Sequence, residues 1–203
     1  GAAAHTDSAQ FAKEYRDALD GPMVAARNDG DAKSAIAKSA HVITAEYETP
    51  LLAHATMEPC NATVHLQKDR LDIWMGSQSA LENAKMAAEE AGLKPEQVYF
   101  HQMYLGGGFG RRTFGDELRH AIRVAKAGNI DVPLQLLWSR EQDMRADRYR
   151  PQSAIRLKGA LTADGKLEAL FIQSVCGSIQ RSTGNPVANG LDPTSLEGIA
   201  QSV

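Results

Sequence analysis

The sequence predicts an α+β fold in which a mixed β-sheet with βαβ units is flanked by helices. Runs rich in β-branched and aromatic residues are separated by Ala-rich runs with helical periodicity. Between residues 71 and 138 these runs follow the order strand, helix, strand, helix, strand, which is a double βαβ pattern. With 203 residues, 43% of them hydrophobic, the chain is long enough for a sizeable core in one large or two small domains.

The first forty residues differ from the rest. Ala-rich stretches with interspersed charges predict short helices over 8–19 and 31–40, the second preceded by Asp29-Gly30. From His41 the pattern changes to a two-residue alternation, which predicts a strand. We therefore predict a peripheral helical segment over 1–40 and a sheet-containing domain over 41–203.

The next elements form the centre of the predicted sheet. The runs "NATVHLQ" and "LDIWMG" are split by Lys68-Asp69-Arg70, which predicts a hairpin. A helix follows over 80–91, because Ser79 and Glu82 match a capping box and Gly92 stands where a helix C-terminal glycine belongs.

The remaining elements alternate. We predict a strand in "VYFHQMYL", a helix over 116–127 and a strand over 134–138. After a polar turn, strands over 153–161 and 167–176 form a hairpin around the tight-turn sequence Ala163-Asp164-Gly165-Lys166.

Composition excludes several classes of function. A net charge of −3 without a basic face argues against nucleic-acid binding. No apolar run approaches the roughly 20 residues that span a bilayer. The first residues show no signal-peptide pattern. Two cysteines, Cys60 and Cys176, match neither a disulfide framework nor a zinc site. We expect small molecules or proteins as partners.

Two loops are the best candidates for a site. Parallel strands of βαβ units end at the same sheet edge, where ligands usually bind. The loop after "LDIWMG" carries Gln78, and the loop after "VYFHQMYL" carries the run Gly106 to Gly110. A carboxamide and exposed backbone N–H groups suit an oxyanion, an oxo group or a phosphate. The spacing of these residues fits equally well a structural alternative, in which the glycines form a tight turn for close helix–sheet packing and Gln78 is a solvated residue.

Other motifs favour structural roles. Arg111 stands where a dinucleotide fingerprint needs glycine, and the pair Arg111-Arg112, which could contact an anion, is more typical of a surface. His54, Cys60 and His65 match no common zinc spacing, so we expect no metal ligand among them. Glu58, before Pro59, fits a hydrogen-bonding corner residue better than a functional carboxylate.

Several stretches together resemble a known family. They are "YETPLLAHATMEPCNATVHL", "LDIWMGSQSALENAK", "YLGGGFGRR", "LLWSREQDMRADRYRP" and "CGSIQRSTGNP". They resemble the molybdenum-binding large subunit of the xanthine dehydrogenase and aldehyde oxidase family, in particular the isoquinoline 1-oxidoreductase beta-subunit branch. The resemblance implies that residues 41–203 are part of a molybdopterin-binding domain.

The resemblance also implies a site. In the family, a glutamine matching Gln78 donates to the apical oxo ligand of molybdenum, and a backbone matching Gly107, Gly108, Phe109 and Gly110 closes on the same centre. We add Arg111 as a candidate cofactor contact. The implied cofactor is molybdopterin cytosine dinucleotide, and the implied reaction is hydroxylation of N-heteroaromatics or aldehydes with oxygen from water.

The implied partners are an iron-sulfur small subunit with [2Fe-2S] clusters and the remainder of the large subunit, with cytochrome c as an implied electron acceptor. Close relatives are often exported to the periplasm, and a cytoplasmic location stays open.

Two departures from the family pattern shape the expectation. The general-base glutamate of the family lies in a "GxGE"-like motif that this sequence lacks, so we expect an internal piece of a larger subunit that is inactive alone. Arg111-Arg112-Thr113 stands where purine-oxidising relatives carry a carboxylate, so a purine substrate is not expected. The alternatives are a non-catalytic assembly module and a nucleotide-binding βαβ domain.

Overall fold

The computed structural model describes residues 5–196, which divide into two compact units. One unit combines residues 5–52 with 150–196, and the other comprises residues 53–149. The sequence predicts that the cofactor-binding domain begins at residue 41. The division into two units does not test that boundary, which stays a prediction. The signal-peptide expectation rests mainly on residues 1–4, which lie outside the described residues.

The helices and strands follow the predicted order closely. They are α1 (Ser8–Ala18), α2 (Ala32–Lys38), β1 (His41–Thr49), β2 (Asn61–Leu66), β3 (Leu71–Met75), α3 (Ala80–Ala91), β4 (Val98–Gln102), α4 (Asp116–Gly128), β5 (Leu134–Leu137), α5 (Arg140–Arg145), β6 (Ser153–Leu161), β7 (Leu167–Cys176) and α6 (Ile179–Ser182). The sequence did not predict the short helices α5 and α6. Among the described residues, no helix is both long and apolar enough to cross a bilayer.

The first unit contains an antiparallel three-stranded sheet in the order β1-β6-β7. The predicted β6–β7 hairpin is confirmed, with Gly165 at φ 82° in its turn. Helices α1 and α2 pack on β6 and β7.

The second unit contains a four-stranded mixed sheet in the order β4-β3-β2-β5. Helices α3 and α4 pack together and on the sheet. Alternate residues of β2 and β3 point into the core because side chains of a strand face opposite sides in turn. The buried core of this unit consists of Ala62, Val64, Leu71, Ile73, Met75, Ala87, Leu118, Ala121, Ile122 and Ala125.

The double βαβ prediction is half right. Strands β3 and β4 are parallel neighbours, as predicted. Strand β5 does not pair with β4 but antiparallel with β2, at the far edge of the sheet. Both sides of β3 are occupied, by β4 and by its hairpin partner β2, and α4 packs across β2 and β5. Because β2 is antiparallel to β3 and to β5, the strands β3, β4 and β5 still end at one sheet edge.

The predicted capping box of α3 is wrong. The side chain of Ser79 makes no capping hydrogen bond. Instead, the Oγ of Ser77 accepts from the backbone N–H of Ser79 at 2.9 Å and from the Asn83 side chain at 2.8 Å. At the other end, Gly92 adopts the predicted left-handed conformation with φ 79°.

Candidate functional site

The two predicted loops meet at the shared sheet edge. The last residues of β3 and β4, Met75 and Gln102, are paired, so the loops that follow them start side by side. The Oε1 of Gln78 accepts hydrogen bonds from the backbone N–H groups of Gly110 at 2.9 Å and Arg112 at 3.3 Å. The structure therefore brings Gln78 and the glycine run together.

The orientation of the Gln78 side chain follows from these contacts. Because backbone N–H groups only donate, the carboxamide atom that faces them is the oxygen. The side chain is exposed, and within residues 5–196 its Nε2 donates to no protein acceptor. The backbone N–H groups of Gly107 and Gly108 also lack an acceptor in the described chain. This leaves several N–H donors available to an anionic or oxygen-rich ligand.

Glu58 holds the other end of the glycine run. Its Oε2 accepts from the N–H of Gly106 at 2.8 Å, and its own N–H donates to the Gly106 carbonyl at 3.1 Å. Burial alone would raise the pKa of Glu58. Hydrogen bonds from Asn61 and Gly106 and the charge of Arg112 outweigh this effect, so the pKa is lowered overall. Glu58 is a hydrogen-bonding corner residue, as the sequence favours.

The glycines of the run have reasons within the protein itself. A β-carbon on Gly108 would lie 2.5 Å from the Oε1 of Gln78, and one on Gly106 would overlap the β-carbon of Glu58. Gly107 and Gly110 have φ near +100°, where side chains are strained. These constraints apply with or without a ligand, so the glycine run alone does not decide between a turn and a binding loop. The unpaired N–H groups are the feature that points to a ligand.

The two arginines after the run are buried, which corrects their interpretation as a surface pair. Arg111 is 1% exposed and Arg112 is fully buried. The Nη2 of Arg112 donates to the carbonyls of Glu58 at 2.7 Å and Pro59 at 3.1 Å, which fixes the segment that holds Gly106. At Nη2, carbonyl and carboxylate oxygens replace water, whereas the buried Nε and Nη1 have no hydrogen-bond partner within the described residues.

Arg111, the predicted cofactor contact, points into the unit. Its Nη1 lies 3.1 Å from an oxygen of Asp116, and its Nε lies 3.2 Å from an oxygen of Asp147. Arg148 completes this cluster through a second contact to Asp116 at 3.1 Å. The structure thus gives the side chain internal partners, and a contact between Arg111 and a cofactor stays a prediction.

Glu117 is a buried carboxyl that the sequence analysis did not single out. It is fully buried, and its nearest ionic partner is the Nη1 of Arg112 at 3.8 Å. Neither carboxyl oxygen has a hydrogen-bond partner within the described residues. Burial raises the pKa of Glu117, despite the opposing charges of Arg111 and Arg112.

The three residues considered for a metal site have separate surroundings in the structure. His54 pairs with Asp147, the Cys60 thiol is fully buried, and His65 lies on β2 with its Nε2 3.7 Å from Asp131. Burial raises the pKa of Cys60 to about 12. Over residues 5–196, no group of three or more His, Cys, Asp or Glu side chains is arranged to hold a metal ion.

Comparison with known proteins tests the family resemblance. A family model described as "Molybdopterin cofactor-binding domain" matches residues 17–187, well over half of the chain. The chain belongs to the molybdopterin cofactor-binding domain family. This confirms the predicted family and the fold class that it implies.

Individual relatives agree with the family. The domain is 32% identical over 127 residues to isoquinoline 1-oxidoreductase subunit beta of Brevundimonas diminuta, covering 62% of this chain and 16% of the relative. It is 29% identical to a membrane-bound aldehyde dehydrogenase [pyrroloquinoline-quinone] of Gluconacetobacter polyoxogenes, covering 74% of this chain and 19% of the relative. Xanthine dehydrogenase of Emericella nidulans is 24% identical over 70% of the chain and 11% of its own length.

A solved structure agrees in fold. Quinoline 2-oxidoreductase from Pseudomonas putida 86 superposes with a TM-score of 0.62 at 19% identity, over 78% of this chain and 22% of the other. The domain thus spans about a fifth or less of the proteins it matches, which supports the expectation of a piece of a larger subunit.

The residues present fit a bound cofactor of this family. The backbone N–H groups of Gly107 and Gly108 and the Nε2 of Gln78 have no acceptor within the described residues, and such donors suit the oxygen-rich part of a molybdopterin cofactor. Sequence reasoning found these residues but missed Asp116, Glu117 and Asp147. The acidic pair Asp116-Glu117, separated from the arginine pair by Thr113, Phe114 and Gly115, was the available signal, because buried charges are usually paired.

Proposed function

We propose that this domain forms part of the cofactor-binding wall of a molybdenum-dependent oxidoreductase subunit. The observation that carries the proposal is the junction of Gln78 with the glycine run. There the carboxamide oxygen is used internally, while the Nε2 of Gln78 and the N–H groups of Gly107 and Gly108 are left without acceptors in the described chain. These groups would hold the cofactor through hydrogen bonds to its oxygens.

The proposed reaction is hydroxylation of an N-heteroaromatic compound or an aldehyde with oxygen derived from water. The bound cofactor would supply the redox chemistry that hydroxylation with water-derived oxygen requires. The role of this domain is to fix the position of the cofactor, since the loop is held at both ends by Glu58 and Gln78. The names of relatives, which include isoquinoline and aldehyde enzymes, support this substrate class.

The general base of the reaction lies outside this domain in our proposal. The carboxylate that contacts the loop, Glu58, is occupied by Gly106, Asn61 and Arg112. Glu117 is fully buried in the same unit. We therefore propose that the domain binds cofactor only within the larger subunit and has no turnover alone.

Further details rest on the resemblance. We propose that the cofactor is the cytosine dinucleotide form and that electrons leave through [2Fe-2S] clusters of a partner subunit. We also propose a periplasmic location, with cytochrome c as acceptor. The word "subunit" in the names of several relatives supports a multi-subunit assembly.

Elemental analysis of the complete subunit tests the proposal. Wild-type protein, purified with its partner, is expected to contain molybdenum and to release a fluorescent oxidised pterin. Gln78→Ala should lose most of the molybdenum, whereas Gln135→Ala, an exposed glutamine on β5, should retain it. Wild-type protein without molybdenum, from a host that loads a control hydroxylase, would contradict the proposal and favour the assembly module. Pyrroloquinoline quinone in its place would also refute it.

A further inference from the structure

His54 is held in one orientation by Asp147. Its Nδ1 lies 2.9 Å from one carboxylate oxygen of Asp147 and 3.1 Å from the other, and its backbone N–H donates to the same carboxylate. The His54 side chain is only 9% exposed and that of Asp147 only 3%. The ring is therefore fixed by a buried carboxylate. The contacts of Glu58 and Gln78 with the glycine run do not involve His54.

The other ring nitrogen of His54 faces the glycine run. A β-carbon on Gly110 would lie 3.7 Å from His54 Nε2. Among residues 5–196, Nε2 has no hydrogen-bond partner. The N–H of the same Gly110 donates to the Oε1 of Gln78. An unpaired polar atom on a ring that is nine-tenths buried thus lies beside the residue that joins the loop to Gln78.

The contacts of Asp147 determine which nitrogen carries the proton. A carboxylate accepts hydrogen bonds, so Nδ1 carries hydrogen and Nε2 of the neutral ring carries the lone pair. In that form of the ring, Nε2 is a hydrogen-bond acceptor.

We propose that His54 Nε2 accepts a hydrogen bond from an N–H group of the ligand bound against Gly110, with Asp147 as its positioning residue. This inference rests on the proposed function, because pterins carry both oxygen acceptors and ring or amino N–H donors. The donors at Gln78, Gly107 and Gly108 match the first kind of group. His54 supplies the acceptor that the second kind needs.

The test measures how fast the complete subunit loses its cofactor. Wild type, His54→Leu and His65→Leu are loaded, then dialysed, and molybdenum and pterin are followed over time. His65 is the matched control, because it lies on β2 of the same unit with a distant acidic partner. Loss of one hydrogen bond is expected to speed cofactor release by roughly 2- to 10-fold in His54→Leu, with no change in His65→Leu.

A second measurement covers the case in which His54→Leu does not fold. In wild-type subunit with ¹⁵N-labelled histidine, the Nε2 resonance of His54 should have the position of an unprotonated nitrogen and should shift when cofactor is bound. A resonance that is the same with and without cofactor would overturn the inference, as would unchanged cofactor release from folded His54→Leu. Wild type that binds no cofactor would instead overturn the proposed function.

Discussion

Alanine at position 108 would place a methyl group in the space that the Gln78 carboxamide occupies. The new β-carbon would lie 2.5 Å from Oε1 and 2.7 Å from Cδ of Gln78, closer than nonbonded atoms approach. Because Gln78 is an exposed and flexible side chain, we expect it to move away while the backbone stays in place. Gly108→Ala therefore displaces the proposed ligand group without unfolding the domain.

The structure sets the size of the effect on stability. Moving Gln78 breaks two hydrogen bonds, to Gly110 at 2.9 Å and to Arg112 at 3.3 Å, which together contribute about 1–2 kcal/mol at an exposed site. Because Gly108 does not have positive φ, alanine fits the native backbone there. Alanine also restricts the unfolded chain, which raises the free energy of unfolding by about 0.4–1 kcal/mol. The net loss is about 1 kcal/mol, which corresponds to a fall in Tm of roughly 2–4 °C for a chain of this length and to a smaller fall for the complete subunit.

The expected effect on cofactor binding is larger. A hydrogen bond to a charged ligand contributes about 1.5–3 kcal/mol, so loss of the Gln78 contact should weaken binding by at least about tenfold. Molybdenum content and Tm are measured on the complete subunit. Gly159→Ala on β6 is the control, since its β-carbon would meet only the Leu167 side chain at 3.4 Å. Normal molybdenum content and turnover in Gly108→Ala would refute the role given to Gln78.

Two further predictions concern ionisable groups. Burial, followed by the charge of Glu117, raises the pKa of the Cys60 thiol to about 12, so a thiol reagent at about pH 8 should modify Cys176 in the native chain and both cysteines only after unfolding. Rapid reaction of two thiols in the native chain would contradict this. The hydrogen bond from Arg70 lowers the pKa of Asp72 from 3.8 to about 2. Its ionised form thus stabilises the fold above about pH 4, and this contribution is lost as the pH falls towards 2. Asp72→Asn should lower the unfolding free energy at about pH 6 by more than at about pH 2.5, measured by urea titration, and an equal loss at both pH values would be inconsistent with the Arg70 contact.

The sequence predicted the elements well because their signals are local. The bounds of β6 and β7 agree with the predicted strands, and α3 begins and ends at the predicted residues. Strand order was harder to predict. The position of β5 depends on which sheet edge remains free after β3 has paired on both sides, and no pattern within β5 reports this.

The capping motif of α3 gave a wrong prediction because two neighbouring serine hydroxyls could each cap the helix. Ser79 and Glu82 fit the capping pattern, but the hydroxyl that receives the N–H of Ser79 belongs to Ser77, which Asn83 also contacts. Sequence spacing identified the correct helix start and the wrong hydroxyl, because both serines stand close enough to the first turn.

The burial of Arg111 and Arg112 was not predictable from their charge. A charged pair is usually exposed, and the groups that stabilise Arg112 are the carbonyls of Glu58 and Pro59, more than fifty residues earlier in the chain. Arg111 likewise depends on Asp147. Long-range partners of this kind appear only when the fold is known.

The same long-range contacts explain what the glycine run does. Glu58 fixes Gly106 at one end and Gln78 fixes Gly110 at the other, and these two residues come from separate segments that precede the run. Between the two anchors, Gly107 and Gly108 keep their N–H groups unpaired within the described chain. A run of glycines without these anchors would be free to sample many conformations and would lose entropy on binding. Held at both ends, the loop has already lost that entropy in folding, so its N–H groups are presented to a ligand in advance. The arrangement of the proposed binding loop is therefore a property of residues 53–149 as a folded unit, and the motif "GGGFG" alone is insufficient to create it.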